Sequence, residues 1–509
     1  MQATAYSGAV VGMDAIGISV EASITAGLPS FIIVGLPDAS VQESRERVRA
    51  GVSASDLDFP LNRIIVNLAP ADVRKEGPSF DLPIALATIA ASRQLSPDRL
   101  SGWLASGELS LTGQLRPVRG LLSMALAARR LHLRGLLVPK ANAAEAALVK
   151  GLEVIPVRNL REAVDFLAGV RAIPAASTDN ALGEAGPRYH VDYADVKGQH
   201  HVRRALEVAA AGGHNVLMIG PPGAGKTMLA RRLPTILPSL SLEEAIEVTK
   251  VYSIAGALGP HRGLVARRPF RSPHHTISRA GLVGGGPVPR PGEISLSHRG
   301  VLFLDELPEF GSAALQVLRQ PLEDGCVTIS RARSSFTYPA NFTLLAAMNP
   351  CPCGHLGDTA RPCTCGQGQI EAYRGRISGP LLDRLDVQLE VGRLSSKDLT
   401  SEAEGECSAE IRRRVEKARS IQRQRFGSRA AASDNASMSP RQVRTWCPIG
   451  EEEKRFMEAA IDRLGLSARA YDRLLKVART IADLAGRERI VLADLAEAMQ
   501  YRCLDRERL

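Results

Sequence analysis

The sequence lacks the marks of a membrane protein or an exported protein. No stretch approaches the roughly 18 consecutive apolar residues of a membrane-spanning helix, so we expect no such helix. The start, Met-Gln-Ala-Thr-Ala-Tyr-Ser-Gly, has neither the basic beginning nor the apolar block of a signal peptide. We therefore expect a cytoplasmic protein with no membrane partner.

Cysteine is also scarce, with 8 in 509 residues. In a cytoplasmic chain this excludes a disulfide framework, so clustered cysteines favour metal binding. Short-period repeats are absent as well, and the length predicts about two to four domains. Positive charge is in excess, a net +10 that comes mostly from arginine. That balance suits a polyanion such as nucleic acid, although a coding bias toward arginine would produce it too.

One octapeptide carries the strongest signal in the chain. It fits the phosphate-binding pattern G-x-x-x-x-G-K-[ST], and it lies between an apolar run and a helical pattern, as that loop requires. Its residues are Gly220, Pro221, Pro222, Gly223, Ala224, Gly225, Lys226 and Thr227. Glycines let backbone amides approach phosphates closely. Lys226 would reach the β- and γ-phosphates and Thr227 would hold Mg²⁺, so we predict that the protein binds ATP.

Two acidic residues follow a second apolar run, 301–304. A buried parallel strand that delivers carboxylates to the edge of a sheet has this form. Asp305 would position the magnesium ion, and Glu306 would orient and deprotonate the attacking water. The alternative is an acidic helix start after a buried strand.

A third apolar run, 343–348, ends in Asn349. In ATPases with an additional strand, an amide at this point contacts the γ-phosphate and the water; alone, it would be an ordinary turn residue. With the segment Leu381-Leu382-Asp383-Arg384, this order of motifs resembles the AAA+ ATPases, in their magnesium-chelatase and MCM branch. The resemblance implies a ring in which Arg384 acts as an arginine finger toward the neighbouring subunit. Arg374 and Arg376 are alternatives, as is a surface salt bridge for Arg384.

The same branch carries a second sensor arginine at the start of a later helix. Arg469 aligns best with it, and Arg473, one turn later, is the alternative. The abundance of arginine in this chain leaves a purely structural role open for both.

Two segments resemble the pore elements of that branch. Residues 281–298 are rich in glycine and proline, and we expect no regular secondary structure there; the related insertion projects into the ring's pore. Residues 327–338 alternate like a hairpin, in which Arg331 and Arg333 share one side and would contact the DNA backbone. A solvated hairpin without ligand is the alternative. His274 and His275 are adjacent and predicted to point apart, which indicates no metal site.

Four cysteines form two C-x-C pairs: Cys351, Cys353, Cys363 and Cys365. Four thiolates so closely spaced fit a tetrahedral structural zinc site, although C-x₂-C spacing is commoner. Free thiols and an iron–sulfur cluster are the alternatives. With no open coordination position indicated, the metal would brace the loop between Asn349 and Arg384.

The N-terminal part resembles the Lon protease domain around Gly77-Pro78-Ser79 and residues 107–121. In that family the serine pairs with a lysine, whose position here holds Leu122. A serine–lysine dyad needs both partners, so we expect a degenerate domain without peptidase activity.

Taken over nearly its full length, the chain resembles the YifB/ComM family, labelled magnesium-chelatase-like. The predicted fold is a Lon-like α+β domain of ribosomal S5 type (1–170), a linker (171–187), an AAA+ parallel α/β core with the cysteine loop 351–365 (188–393), and a helical C-terminal domain (394–509). The resemblance implies a homo-hexameric, ATP-driven DNA helicase that promotes branch migration during natural transformation. Alternatives are a magnesium-chelatase-type ATPase that remodels a partner for metal insertion, and an ATP-dependent protease, which Leu122 disfavours.

Overall fold

A computed structural model describes residues 1–177, 189–259, 263–286, 289–331, 334–358, 361–394, 405–427 and 434–506. The described parts form two main sheets, one of 7 and one of 5 strands, with a helical C-terminal region. This mixed α/β architecture is the predicted fold class.

The N-terminal sheet is mixed, with strand order β3-β4-β2-β1-β5-β8-β9, while β6 and β7 form a separate pair. The strands are β1 (Gln2–Val11), β2 (Asp14–Thr25), β3 (Ser30–Val34), β4 (Arg63–Ala69), β5 (Trp103–Ala105), β6 (Glu108–Leu109), β7 (Leu115–Arg116), β8 (Gly135–Pro139) and β9 (Glu153–Val157). The helices are α1 (Ala39–Ser53), α2 (Asp81–Ala91), α3 (Leu121–Arg130), α4 (Ala143–Ala146) and α5 (Leu160–Ala168). Every residue of α2 is buried, because the helix is mostly apolar and packs on β1 and β2, while its one carboxylate, Asp81, pairs with Arg47 at 2.6 Å.

The second sheet is parallel throughout, with strand order β11-β14-β17-β10-β18. The strands from this region are β10 (Val216–Ile219), β11 (Phe270–Arg271), β12 (Gly284–Gly285), β13 (Arg290–Pro291), β14 (Val301–Leu304), β15 (Cys326–Arg331), β16 (Ser334–Pro339), β17 (Thr343–Met348) and β18 (Val387–Glu390). The helices are α6 (His200–Gly212), α7 (Lys226–Ile236), α8 (Leu242–Ala255), α9 (Arg279–Val283), α10 (Glu293–Leu296), α11 (Ser312–Gln316), α12 (Arg319–Asp324), α13 (Gln367–Arg374) and α14 (Gly379–Leu382).

The two faces of this sheet support different structures, because successive side chains of a strand point to opposite faces. Val301 and Phe303 of β14 join a core with α6, α7 and the C-terminal helices. Leu302 and Leu304 join a second core with α9, α10 and the β15–β16 hairpin. The carboxyl ends of β10, β17 and β14 lie side by side at one edge.

The C-terminal region is helical. Its helices are α15 (Ser408–Phe426), α16 (Pro440–Trp446), α17 (Glu451–Leu464), α18 (Ala468–Leu484), α19 (Leu492–Gln500) and α20 (Cys503–Arg506). The backbone amide of Gln388 on β18 donates to the Tyr501 carbonyl at 2.7 Å, which ties this region to the edge of the parallel sheet.

The N-terminal domain packs on α8. Asp14 pairs with Lys250 at 2.7 Å, and the amide of Gly120 donates to the Ser253 carbonyl at 3.2 Å. Gly12, with φ +62°, lies against Phe336 of the β15–β16 hairpin.

The expectation of no regular structure in residues 281–298 is wrong in part. The segment contains the end of α9, the short β12–β13 pair and α10. Gly284 permits the pairing, since a Cβ there would lie 2.2 Å from the Arg290 carbonyl oxygen.

Candidate nucleotide site and cysteine cluster

The phosphate-binding loop connects β10 to α7. Gly223 and Gly225 have φ of +79° and +91°, a conformation that glycine adopts without strain. A Cβ on Gly220 would lie 2.1 Å from the Val391 carbonyl oxygen, so a larger residue would displace β10 or the chain after β18. The loop therefore has the backbone shape that its sequence predicts.

Lys226 is a buried cation at the start of α7. Its Nζ donates to the carbonyls of Gly220 and Pro221 at 2.6 and 3.0 Å, and to Asn349 Oδ1 at 3.1 Å. Burial lowers the pKa of Lys226, and the opposing charges of Asp305 and Glu306 limit that shift. The structure thus brings the predicted phosphate-binding lysine and the predicted sensor asparagine into contact.

The two predicted magnesium ligands are also in contact. Thr227 Oγ1 donates to Asp305 Oδ2 at 2.7 Å, across 78 residues of sequence. A hydroxyl and a carboxylate are the oxygen ligands that Mg²⁺ prefers at such sites. The donor set therefore fits a magnesium ion bound with ATP.

The sequence did not predict which side chain contacts Glu306. It has φ +55°, and its carboxylate lies 3.4 Å from His275 Nδ1. The expectation that His274 and His275 point apart is wrong, because their rings are 4.1 Å apart and tilted by 33°. Both histidines follow β11, which pairs with β14, so the sheet brings His275 to the predicted general base.

All three candidate finger arginines have partners within the subunit. Arg384 is buried at the end of α14, where it pairs with Glu323 and donates to the Pro380 carbonyl at 2.5 Å. Burial lowers its pKa, as do neighbouring arginines. Arg376 pairs with Glu309 at 3.0 Å, and Arg374 donates to the Pro350 carbonyl at 3.2 Å.

The two candidates for the second sensor differ in their environment. Arg469 is exposed in the first turn of α18. Arg473, one turn later, pairs with Asp386 at 2.8 Å. Asp386 is buried; burial raises its pKa, but the charge of Arg473 and the His214 imidazole, 3.5 Å away, outweigh that effect and hold its pKa well below the usual range.

The predicted hairpin forms, with β15 antiparallel to β16. Arg331 ends β15, whereas Arg333 lies outside the described residues. The insertion packs on this hairpin: Tyr338 donates to the Pro289 carbonyl at 2.8 Å, and Gly284 lies against Ile329. The two predicted pore elements therefore form one structural unit.

The four clustered cysteines converge, with every Sγ within 4.8 Å of the others. Cys351 Sγ lies 3.4 Å from Cys353 Sγ and 3.7 Å from Cys363 Sγ. Backbone amides donate to the sulfurs, that of Leu356 to Cys351 Sγ at 3.3 Å and that of Cys353 to Cys365 Sγ at 3.4 Å. Such amide donors stabilise thiolates around a metal, so the cluster fits a tetrahedral metal ion.

This cysteine loop lies directly against the phosphate-binding loop. A Cβ added to Gly354 would lie 2.7 Å from Cδ of Pro222 and 3.9 Å from Cγ of Asn349. The sequence did not predict this contact, because the two loops are separated by more than a hundred residues.

In the Lon-like domain, Ser79 lies in a short turn, Pro78–Phe80, that precedes α2. Leu122 is fully buried at the start of α3, in a different apolar cluster from that of α2. An aliphatic side chain therefore fills the position where the related protease has its lysine.

A parallel sheet with these three strand ends side by side, a phosphate-binding loop, an Asp-Glu pair and a helical lid defines an AAA+ ATPase. Models of the magnesium chelatase subunit ChlI match residues 192–399 and 20–142, and one of its C-terminal region matches 405–502. The chain is 45% identical to competence protein ComM of Haemophilus influenzae over 509 residues, 99% of this chain and 98% of that protein. It belongs to the YifB/ComM family of magnesium-chelatase-like AAA+ ATPases.

Other relatives agree with this assignment. YifB of Salmonella typhimurium is 44% identical over 505 residues, 99% of this chain and 97% of that protein. Lon protease 1 of Myxococcus xanthus is 29% identical over 175 residues, which cover 33% of this chain and 20% of the protease. The predicted family and fold class are thereby confirmed. Within the described ranges, no helix is both long enough and apolar enough to cross a membrane.

Proposed function

We propose that this protein hydrolyses ATP between the subunits of a homo-hexameric ring and uses the energy to move DNA, promoting branch migration during recombination of transforming DNA. The relative named as a competence protein supports this role, as does the net charge of +10. The motor would act in the cytoplasm, where ATP and recombining DNA meet.

The proposed hydrolysis uses the residues at the edge of the parallel sheet. Lys226 and the loop amides bind the phosphates, while Thr227 and Asp305 hold Mg²⁺, which neutralises charge on the phosphate oxygens when bound. Glu306 orients the attacking water and takes its proton. Asn349, 3.1 Å from Lys226 Nζ, holds the γ-phosphate in line.

One observation carries the coupling of hydrolysis to movement. The unit formed by the insertion and the hairpin packs on the face of the sheet to which Leu304 points, and Asp305 and Glu306 follow Leu304 in sequence. The hairpin's second strand leads through three residues into β17, and Asn349 directly follows β17. A shift at either catalytic strand would therefore reach the proposed DNA contacts, of which Arg331 and Arg333 are the candidates.

Hydrolysis in a ring also requires a residue from the adjacent subunit. We propose Arg384 for this role, since a finger stabilises charge that develops on the transferred phosphoryl group. Within the subunit Arg384 pairs with Glu323, whose side chain is 56% exposed. Exchange of that partner for the neighbour's γ-phosphate would occur only in the assembled ring.

We further propose that the cysteine cluster holds a structural zinc ion. The four sulfurs offer a closed tetrahedral set with no fifth donor in the cluster among the described residues. Zinc content measured by elemental analysis should equal one ion per chain. The Cys351→Ser variant, purified in the same way, is the control and should contain no zinc. A chain that carries iron, or no metal, would contradict this assignment.

A second candidate function is a chelatase-type remodelling ATPase. The three matching family models, which all describe magnesium chelatase ChlI, favour it. Such an ATPase would act on a partner protein and have no need of DNA.

The deciding experiment is an unwinding assay on three- and four-stranded DNA junctions. The wild type should resolve them with ATP, and Glu306→Gln should bind ATP and DNA without resolving them. Absence of DNA binding at low salt, together with intact hydrolysis, would refute the motor and favour the chelatase-type function.

A further inference from the structure

A basic pocket lies on the face of the parallel sheet opposite the proposed pore elements. It has a volume of about 410 Å³, and its lining includes Tyr189, Arg231, Pro234, Arg267 and Phe270. Phe270 packs on the core that contains α6 and α7, whereas the insertion and the hairpin belong to the other core. The pocket is therefore separate from the site proposed for DNA in the pore.

Two of the pocket's cations are available to a ligand. Arg231 and Arg267 are both exposed, and no carboxylate among the described residues pairs with either one. A third, Arg268, is occupied: it pairs with Glu244 at 3.1 Å and donates to the Arg299 carbonyl at 2.8 Å. The pocket thus presents two free guanidinium groups that attract an anion.

Two aromatic side chains, Tyr189 and Phe270, form part of the remaining wall of the pocket. The guanidinium carbon of Arg267 lies 5.7 Å from the centre of the Tyr189 ring, which orients that arginine. Arg412 lies 5.8 Å from the same ring and is itself anchored on the Thr235 carbonyl at 2.8 Å. Phe270 stacks on Phe303 with ring centres 6.0 Å apart. Both aromatic side chains therefore have packing partners of their own in the absence of a ligand.

We propose that this pocket binds a nucleotide unit of single-stranded DNA, outside the pore. Guanidinium groups would bind the phosphodiester, while the planar walls and the guanidinium faces would stack on the base, as in proteins that bind single strands without sequence preference. A volume of this size is within the usual range for a small-molecule site. The inference rests on the proposed DNA motor and adds to it a second contact for the strand that does not pass through the ring.

The test compares two pairs of substitutions with the same change in charge. Arg231→Ala with Arg267→Ala removes both free cations of the pocket. Arg99→Ala with Arg129→Ala removes two exposed arginines from the Lon-like domain and is the control. Binding of a fluorescent oligo(dT) is measured by anisotropy across a salt series. Loss of the one phosphodiester contact that the two arginines share should reduce the slope of log K against log salt by about 0.7, the contribution of one phosphate of a single strand, and the control pair should leave the slope unchanged.

A crosslinking experiment locates the strand directly. An oligonucleotide that carries 5-iodouracil should form a photoadduct with Tyr189 or Phe270, and the adduct should disappear in the Arg231/Arg267 double variant. An unchanged salt slope and no adduct at either aromatic would overturn the pocket. If the pocket is overturned in this way but Arg331→Ala still weakens DNA binding and unwinding, the proposed DNA motor stands and only the pocket is rejected. If the wild-type protein binds no oligonucleotide, both the DNA motor and the pocket are overturned. If the Arg231/Arg267 double variant differs from the wild type in its assembly but not in DNA binding, the pocket alone is overturned.

Discussion

The contact between the cysteine loop and the phosphate-binding loop gives a prediction with a matched control. Gly354 and Gly357 lie in the same loop with φ of +81° and +76°. Alanine at either position carries the same backbone cost, about 1–2 kcal/mol for a left-handed conformation. At Gly354 the new Cβ would meet Cδ of Pro222 at 2.7 Å, whereas at Gly357 no atom of the described residues lies within 4 Å.

The size of the effect follows from that distance. Optimal carbon–carbon contacts lie at about 3.5–4.0 Å, so Gly354→Ala would shift Pro222 by up to about 1 Å. Because the proline ring is rigid, the phosphate-binding loop must move with it. A displacement of about 1 Å at a catalytic site costs up to about a hundredfold in rate. We therefore expect kcat/KM for ATP to fall about 10- to 100-fold, or about 1.4 to 2.7 kcal/mol.

The assay is steady-state ATP hydrolysis, with metal content and melting temperature measured on the same samples. Gly354→Ala and Gly357→Ala should lose similar amounts of thermal stability and keep their metal, while only the first loses activity. Equal kinetics in the two variants would refute the claim that the cysteine loop supports the nucleotide site.

Four further predictions concern the nucleotide site and its sensor and finger arginines. Glu306→Gln should bind ATP and fail to turn it over in a single-turnover assay, and normal turnover would exclude it as the base. His275→Ala should change kcat without a change in ATP affinity, since it removes the imidazole that lies against the Glu306 carboxylate. An unchanged kcat would show that the contact between His275 and Glu306 has no role in hydrolysis. Arg384→Ala should keep nucleotide affinity yet lose hydrolysis that depends on assembly. Arg473→Ala should lower the melting temperature because it removes the arginine that pairs with the buried Asp386, whereas Arg469→Ala should affect turnover alone; the opposite pattern would exchange their roles.

Much of the fold follows from local sequence patterns. The apolar run 301–304 predicts β14, since four residues buried on both faces end in two acids. The periodicity of the C-terminal region predicts Glu451–Leu464 as a helix, and the structure has the same bounds. The glycines and prolines of residues 281–298 give no periodic signal for α9 or the β12–β13 pair, and these short elements pack on the hairpin, where Gly284 lies against Ile329.

The site was predictable where one motif supplies the chemistry and less so where the sheet order does. Lys226 and Asp305 follow from their motifs. The contact between His275 and Glu306 depends on the pairing of β11 with β14, and a strand of two residues has no periodic signal. The partner of Arg384 likewise lies 61 residues away, on α12. Contacts of this kind are set by tertiary packing, which single-sequence patterns do not encode.

If the proposed DNA motor is correct, the division of the parallel sheet into two faces would allow one ATPase core to act on two strands of DNA. Residues of β14 alternate between a core shared with α7 and a core shared with the proposed pore elements. Both cores therefore pack on the same strand, β14, which is followed directly by Asp305 and Glu306. A movement of that strand during hydrolysis would displace the hairpin on one face and the wall of the Arg231 pocket on the other. If both surfaces bind DNA as proposed, a single catalytic event would act on two strands at once, which is the requirement for moving a branch point.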